Sequence, residues 1–313
     1  RAMDSDKTEN PGAFHATRST SAARTSDRVA TGVLAAIVGV ILVALVATIG
    51  YIIVSGAGKL FDWHFLTSMP EQFKEGGVIV PEIFDSDDRR ALTLLSSLPS
   101  SLGAAVFLTQ YAPEGPVTSV AKTAIETLSS LPSIVVGLFG MLVFVLNLGW
   151  GFSILSGALA LTMFNIPILV RIIQQALEAV PRDQRDAALA LGLTRWEACT
   201  QVLVPAAMPA IVTGVILSAG RVFGEAAALI YTAGQSAPAL SWAAPITSLA
   251  NPLNVMRPAE TLAVHIWKIN SEGVVPDLSA VSAGTAAVLM VSILAFNLIA
   301  RIVGRALQRR MTA

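Results

Sequence analysis

Apolar residues fall into long runs along this chain, and shorter polar segments separate the runs. A helix needs about 20 consecutive, mostly apolar residues to cross a bilayer. Runs of that kind occupy residues 29–54, 91–112, 128–148, 152–173, 208–231 and 284–303. The pattern therefore predicts an all-α membrane protein with six transmembrane helices. Residues 29–313 are expected to form one membrane domain with its core at 91–305.

Residues 1–28 differ from the rest of the chain because they are polar and rich in small side chains. Such a segment cannot bury enough apolar surface to fold alone, so we expect a disordered cytoplasmic tail. The apolar run that follows also resembles the core of a cleaved signal peptide. It is longer than such a core, however, and further apolar runs come after it. We therefore expect this run to be retained as the first span.

Lysine and arginine residues are distributed unevenly among the segments between the predicted spans. If the N-terminus lies in the cytoplasm, most of the 21 Lys and Arg residues fall in inner segments. Cytoplasmic segments of membrane proteins are enriched in these residues. An even number of spans also returns the chain to the side where it started. We therefore expect both termini, and the loop between spans four and five, to lie in the cytoplasm.

Composition supports a membrane protein and excludes several other classes. Only 13% of the residues are charged, against about 25% in a soluble domain. The formal net charge is zero, so no basic field favours nucleic acid as a partner. The single cysteine, Cys199, excludes an internal disulfide framework. The histidines have no ligand-type neighbours at metal-binding spacing, so no metal site is predicted at His15, His64 or His265.

The loop between spans four and five carries signals for two short helices. Pro181 favours a helix start directly after it, and Gly192 suits the position that follows a helix end. Thr194 and Glu197 have the spacing of a capping box for a second helix, which is expected to end before Pro205. A face of small alanine side chains on the first helix allows another protein to approach closely. The loop is therefore predicted to be a two-helix elbow that fits a groove on a partner.

This loop, at residues 182–205, resembles the coupling loop of membrane subunits of type I ATP-binding-cassette importers. The family pattern is E-A-A-x3-G-x9-I-x-L-P, and this chain has D-A-A-x3-G-x9-V-x-V-P with the same spacing. In that family the loop docks into the nucleotide-binding subunit. The resemblance implies that the residues of the motif couple this chain to an ATPase: Asp186, Ala187, Ala188, Gly192 and Pro205.

Three further stretches resemble permeases of phosphate importers, of the PstA kind. They are LPSIVVGLFG at 131–140, Ile166-Pro167 with Arg171, and GRVFGEAA at 220–227. Together with the loop, this resemblance covers about residues 100–305. It is weakest near residues 83–90, where such permeases continue from a Gly-Gly turn into an apolar span and this chain has IFDSDDRR. The second span is therefore expected to begin only after these charges.

Two opposite charges lie within the fifth predicted span, because Arg221 and Glu225 are four residues apart. An Arg in mid-membrane costs about 2.5–3.5 kcal/mol and usually faces a cavity or a pathway. In a helix this spacing puts both side chains on one face, and the planar fork of Arg suits an oxyanion. We hypothesise that Arg221, helped by Arg171, lines a phosphate path and that Glu225 holds Arg221. The alternative is a pair that locks helix packing or contacts a partner permease.

The chain contains no G-x4-G-K-[ST] phosphate loop, so it is not expected to hydrolyse ATP itself. The resemblance implies that this chain lies in the lipid bilayer beside a second, PstC-like permease. A dimer of PstB-like ATP-binding subunits would bind to the two permeases. A PstS-like external phosphate-binding protein would deliver substrate. ATP and Mg²⁺ would be bound by the ATPase subunits, and this chain would bind no cofactor. Transport would proceed by alternating access.

Two alternatives to phosphate import remain open at the level of sequence. The substrate of a type I importer is selected largely by its binding protein, so sulfate, molybdate, an amino acid or a metal is compatible with the same motifs. A secondary transporter that works without ATP is the second alternative. It predicts inverted repeats with broken helices in matching halves, and neither is evident in the sequence.

Overall fold

The computed structural model describes residues 20–67, 79–238, 240–272 and 277–311, and every regular element in these ranges is helical. Residues 1–19 of the predicted tail lie outside this description. The chain divides into two compact units, Arg1–Tyr51 and Ile52–Ala313. In the first unit the helix already begins at Thr20, so the end of the predicted tail is helical.

The described part of the chain contains both long helices and short helical turns. In chain order they are α1 (Thr20–Leu60), α2 (Trp63–Thr67), α3 (Val80–Val106), α4 (Pro116–Ser129), α5 (Ser133–Gly140), α6 (Ile154–Glu178), α7 (Arg182–Ala190), α8 (Arg195–Ala198), α9 (Val204–Phe223), α10 (Ala227–Ile230), α11 (Leu262–Glu272) and α12 (Leu278–Met311). π-Helical turns extend α3, α5 and α8 at their C-terminal ends: Phe107–Tyr111, Met141–Asn147 and Cys199–Leu203.

The prediction of six spans is confirmed for the described part of the chain when one bent pair of helices is counted as a single span. Five helical runs are long and apolar enough to cross a membrane: Asp27–Leu60, Val80–Tyr111, Ile154–Glu178, Arg195–Phe223 and Leu278–Ala306. The sixth span consists of Pro116–Ser129 and Ser133–Asn147, which meet at an angle of 100°. The side on which the termini lie stays a prediction.

The bend corrects the third predicted span, which was expected to be continuous over 128–148. Pro132 is extended, with φ −61° and ψ 136°, and it directly precedes α5. Proline disfavours helical geometry in the residue before it and cannot donate a hydrogen bond to the preceding turn. The helix therefore stops at Ser129 and starts again in a new direction at Ser133.

The second span begins earlier in the structure than the sequence predicts. It was placed at 91–112, but α3 starts at Val80 and includes the charged stretch 83–90. Charges are tolerated there because the polar face of α3 is buried against protein, with Glu82, Asp85 and Arg89 all nearly inaccessible to solvent. Side chains three and four residues apart share a helix face, so these three form one buried row.

The centre of the second unit is built by α3, α6 and α9. Leu169 and Ile173 of α6 are fully buried and belong to a cluster that includes Leu203 and Ile211 at the start of the α9 run. Gly214 allows the close approach of α6 and α9, because a Cβ at this position would overlap the side chain of Ile172. Small residues at such contacts let membrane helices pack backbone to backbone.

Candidate functional site

The elbow, residues 182–205, begins with α7, and Gly192 ends that helix. Gly192 has φ +87°, a left-handed conformation that only glycine adopts without strain. Its N–H donates to Leu189 O at 3.0 Å, and the Leu193 N–H donates to Ala188 O at 3.2 Å. These bonds satisfy carbonyls that the end of a helix leaves free. The predicted helix-terminating position of Gly192 is confirmed.

The second helix of the elbow starts with the predicted capping box. The Glu197 N–H donates to Thr194 Oγ1 at 3.3 Å, and the Thr194 N–H donates to Glu197 Oε2 at 2.8 Å. The predicted end before Pro205 is wrong, because α8 continues through the turn Cys199–Leu203 into α9. Pro205 is the second residue of α9 and follows directly on the π-helical turn Cys199–Leu203, so the residue without an N–H coincides with an irregular part of the helical run.

The elbow presents only some of the motif residues to a partner. Asp186, Ala187 and Gly192 are exposed. Ala188 is only 4% exposed, so its expected contact with a docked subunit is not possible without rearrangement. Its small size instead lets α7 pack closely against the rest of the unit. The elbow also exposes large apolar side chains that were not singled out from the sequence, and Leu191 at 84% and Trp196 at 62% are the most exposed of them.

A polar cavity of about 670 Å³ lies behind the elbow. Asp186 and Arg185 of α7 contribute to its wall from one side, and Lys122 of α4 and Gln110 after α3 contribute from the other. The cavity therefore separates the elbow from the first half of the bent span. A shift of the elbow can change this space without compressing a packed apolar core.

Arg221 lies in the last turn of α9, beside the middle of α6. Its guanidinium is 4.6 Å from the ring centre of Phe164 on α6. With a rise of 1.5 Å per residue, Phe164 is about 15 Å from the Ile154 end of α6 and about 20 Å from the Glu178 end. The side chain of Arg221 is exposed in this single chain. A charge at this depth faces a cavity or a neighbouring subunit and not an apolar core.

Glu225 does not pair with Arg221, which corrects the expected ion pair. Helix α9 ends at Phe223 with Gly224 as its cap, so the two side chains no longer share a helix face. Glu225 Oε1 instead accepts a hydrogen bond of 3.3 Å from the N–H of Ala228, in the first turn of α10. Among the described residues, no carboxylate lies within ion-pair distance of Arg221.

Arg171 is placed apart from Arg221. It lies seven residues after Phe164 on α6, which is about 10 Å farther along the helix axis. Its guanidinium pairs with Glu126 of α4 at 3.4 Å. The side chain of Arg171 is 49% exposed and that of Glu126 is 67% exposed. The structure therefore does not bring the two predicted pathway arginines together.

A polar seam, formed by Ser97, Asn165 and Ser218, joins the three central helices next to Arg221. The Asn165 side-chain amide donates to Ser97 Oγ at 3.0 Å. Ser218 Oγ donates to Asn165 Oδ1. All three residues are buried. Ser218 is one helical turn before Arg221 on α9, so the seam fixes the position of the helix that carries the charge.

A buried charge network, formed by the side chains of Asp85, Arg89 and Arg257, joins the start of α3 to the segment before α11, where the backbone N–H of Glu260 also contacts it. Asp85 Oδ1 and Arg257 Nη2 are 2.5 Å apart, and neither side chain is accessible to solvent. The Glu260 N–H donates to Asp85 Oδ2 at 3.2 Å, and Arg89 Nη2 donates to Asp85 O at 2.9 Å. The sequence signal was the spacing of acidic and basic residues within 83–90, which was interpreted as the end of an outer loop.

The transport role follows from a comparison with protein families. Residues 99–313 match the family described as "Binding-protein-dependent transport system inner membrane component". This chain belongs to that family. It is therefore the membrane permease subunit of a binding-protein-dependent ABC importer, a multi-pass inner membrane protein of bacterial type. It is a transport subunit of an ATP-driven importer and not a secondary transporter.

Curated relatives of the permease include proteins with and without a stated substrate. It is 46% identical over 290 residues to the probable ABC transporter permease protein YqgI of Bacillus subtilis, covering 92% of this chain and 98% of that protein. It is 39% identical over 142 residues to the phosphate transport system permease protein PstA of Xylella fastidiosa (strain Temecula1), covering 45% of this chain and 50% of that protein. For PstA of Mycobacterium leprae the identity is 32% over 200 residues, covering 62% and 65%.

Solved transporters support the fold of the permease. A chain of a bacterial alginate ABC transporter superposes with a TM-score of 0.62 at 13% identity, covering 91% of this chain and 96% of that one. A chain of the MetNI methionine ABC transporter gives a TM-score of 0.55 at 15% identity, covering 75% and 96%. At these identities the likeness shows the fold alone. The predicted type I importer architecture is confirmed, and an importer of this class requires an ATPase and a binding protein as partners.

Proposed function

We propose that this permease imports inorganic phosphate and that Arg221 lines the phosphate path. The observation that carries the proposal is the position of Arg221: at the break after α9 and beside the middle of α6, exposed in the single chain, and without a carboxylate partner among the described residues. The partial matches to PstA proteins, each covering half to two-thirds of the PstA chain, support phosphate as the substrate.

The local structure around Arg221 suits a transient oxyanion contact. The ring of Phe164 packs against the guanidinium and limits its orientation. The planar fork can still donate two parallel hydrogen bonds to one oxyanion. Because α9 ends two residues later, the backbone near Arg221 is not enclosed in a continuous helix. Broken helices of this kind border the substrate sites of other transporters.

Glu225 has a supporting role in this proposal. Its carboxylate accepts from the α10 backbone and thereby fixes the loop after the break. A carboxylate at the N-terminus of a helical turn is favoured by the exposed N–H groups. Because Glu225 does not neutralise Arg221, the positive charge of Arg221 remains available to an anion.

The elbow would transmit ATP-driven motion to this site. Exposed Asp186, Ala187 and Gly192, together with the apolar side chains of Leu191 and Trp196, form the surface proposed to dock into a PstB-like ATPase. Ala188 and Pro205 act inside the chain, by packing and by starting α9. The helical run Arg195–Phe223 connects the elbow to Arg221 without a break. A PstC-like permease and a PstS-like binding protein would complete the importer.

The test is phosphate uptake by cells that express the complete importer with Arg221→Gln in this subunit. Loss of a charge-assisted hydrogen bond costs about 1.5–3 kcal/mol, so uptake is expected to fall at least about tenfold while the complex still assembles. Arg301→Gln, an exposed arginine on α12, is the matched control and is expected to leave uptake unchanged.

Two outcomes would reject parts of the proposal. Normal phosphate uptake by the assembled Arg221→Gln importer would remove Arg221 from the path. Uptake of sulfate, molybdate or an amino acid in place of phosphate by the wild-type importer would reject the substrate and leave the permease role intact.

A further inference from the structure

Three ligand-type side chains converge where α3 meets α11. Glu82 lies in the first turn of α3, Glu260 lies just before α11, and His265 lies in its first turn. One oxygen or nitrogen atom from each of the three falls within 4.8 Å of the other two. His265 Nδ1 is 2.8 Å from Glu260 Oε1 and 3.9 Å from Glu82 Oε1.

One oxygen of this cluster has no partner although it is buried. Glu82 is only 5% exposed, and its Oε2 atom makes no hydrogen bond. A buried, unsatisfied carboxylate oxygen is costly unless a cation or a proton binds it. Because the other oxygen of Glu82 faces His265, the unpartnered atom belongs to a carboxylate that is directed into the cluster.

The charges around the cluster leave room for a cation. Asp85 and Asp88 are next to Arg89 and Arg257, so these four groups balance one another. Glu82 and Glu260 then face only one full positive charge, that of Lys268, whose Nζ is 3.1 Å from Glu260 Oε2. When His265 is neutral and both carboxylates are ionised, which is the state that a metal ion would bind, the cluster carries one excess negative charge.

We propose that Glu82, Glu260 and His265 bind a divalent transition-metal ion of the zinc or manganese type. One imidazole nitrogen with two carboxylates is a donor set that these ions accept. Their bonds are about 2.0–2.2 Å long, and a small rotation of the unbonded Glu82 carboxylate brings its oxygens into range of a shared ion. Lys268 supports the site from outside, because it holds the second oxygen of Glu260 and donates to Gln235 O at 2.6 Å.

A bound ion would clamp α3 to α11, beside the buried charge network. The ion would compete with a proton for His265. Burial lowers the pKa of His265, but the hydrogen bond that its protonated Nδ1 donates to Glu260 and the nearby charge of Glu82 outweigh burial and raise that pKa above its ordinary value. Metal binding should therefore weaken as the pH falls through this raised pKa. The site could not be predicted from the sequence, because Glu82 is far from the other two residues along the chain.

The proposal is tested with the full chain in lipid nanodiscs after removal of metals by a chelator. Titration with Zn²⁺ or Mn²⁺ is expected to show one site per chain and to raise the thermal unfolding midpoint, with Mg²⁺ and Ca²⁺ much weaker. Glu82→Gln and His265→Gln should each weaken binding at least about tenfold. The matched controls His64→Gln and Glu272→Gln, both exposed, should bind like wild type.

X-ray absorption of the Zn²⁺-loaded wild type keeps the test independent of how the variants fold. One imidazole with oxygen ligands and no sulfur is expected. Absence of tight Zn²⁺ and Mn²⁺ binding would overturn the proposal and leave a cluster that holds only a proton. Binding that persists unchanged in both Glu82→Gln and His265→Gln would also overturn it.

Discussion

The elbow and the buried charge network are both polar parts of a largely apolar chain, but they are built in opposite ways. In the elbow, Gly192 and Thr194 bond to groups at most five residues away, and most side chains are exposed. In the network, Asp85 accepts from the backbone of Glu260, which is 175 residues later, and the groups are buried. The first arrangement suits a surface that docks and moves, and the second suits a fixed joint between distant segments.

Substitutions that break the buried charge network are expected to lower the stability of the whole fold. In Arg257→Gln, Asp85 remains buried without its partner, and breaking such a pair costs about 3–5 kcal/mol. Denaturant unfolding of the purified chain in detergent measures the change. Asp87→Asn is the control, because Asp87 pairs with Arg90 but is half exposed, and a pair of that kind contributes at most about 1 kcal/mol. Equal effects of the two substitutions would contradict the distinction.

Damage to the elbow is predicted to affect partner binding more than folding. Gly192→Ala places a side chain at φ +87°, which costs about 1–2 kcal/mol and distorts the turn. Co-purification of the ATPase subunit should fall strongly, while the free energy of unfolding measured with denaturant should fall by no more than this strain, which is less than in Arg257→Gln. Gly103→Ala, in α3 with open space around it and no positive φ, should be neutral in both measurements. Unchanged ATPase binding in Gly192→Ala would contradict the docking role.

The smallest effect is predicted for Arg171→Gln. Its ion pair with Glu126 is well exposed and contributes about 0–1 kcal/mol, and it lies away from Arg221. Phosphate uptake should therefore stay within about twofold of wild type. A loss as large as that expected for Arg221→Gln would restore Arg171 to the substrate path and show that the two arginines act together in the assembled importer.

The sequence was informative where the deciding interactions are local. The six spans follow from run length, and the caps at Gly192 and Thr194 follow from residues within one helical turn. The start of α3 was missed, because a charged stretch can enter a span only if a distant segment covers it, as Arg257 does for Asp85. The end of α9 was also missed. Gly224 was available as a signal, but the helical spacing of Arg221 and Glu225 suggested a continuous helix.

Reconstitution of the complete importer is the decisive test of ATP-driven phosphate import through this permease. Proteoliposomes that contain this permease, its partner permease and the ATPase subunits would be supplied with the external binding protein and labelled phosphate. We expect phosphate accumulation that requires ATP hydrolysis, is abolished by Gly192→Ala and is not displaced by excess sulfate. Phosphate accumulation without ATP would contradict ATP-driven import. Transport of another solute without any accumulation of phosphate would contradict the proposed substrate.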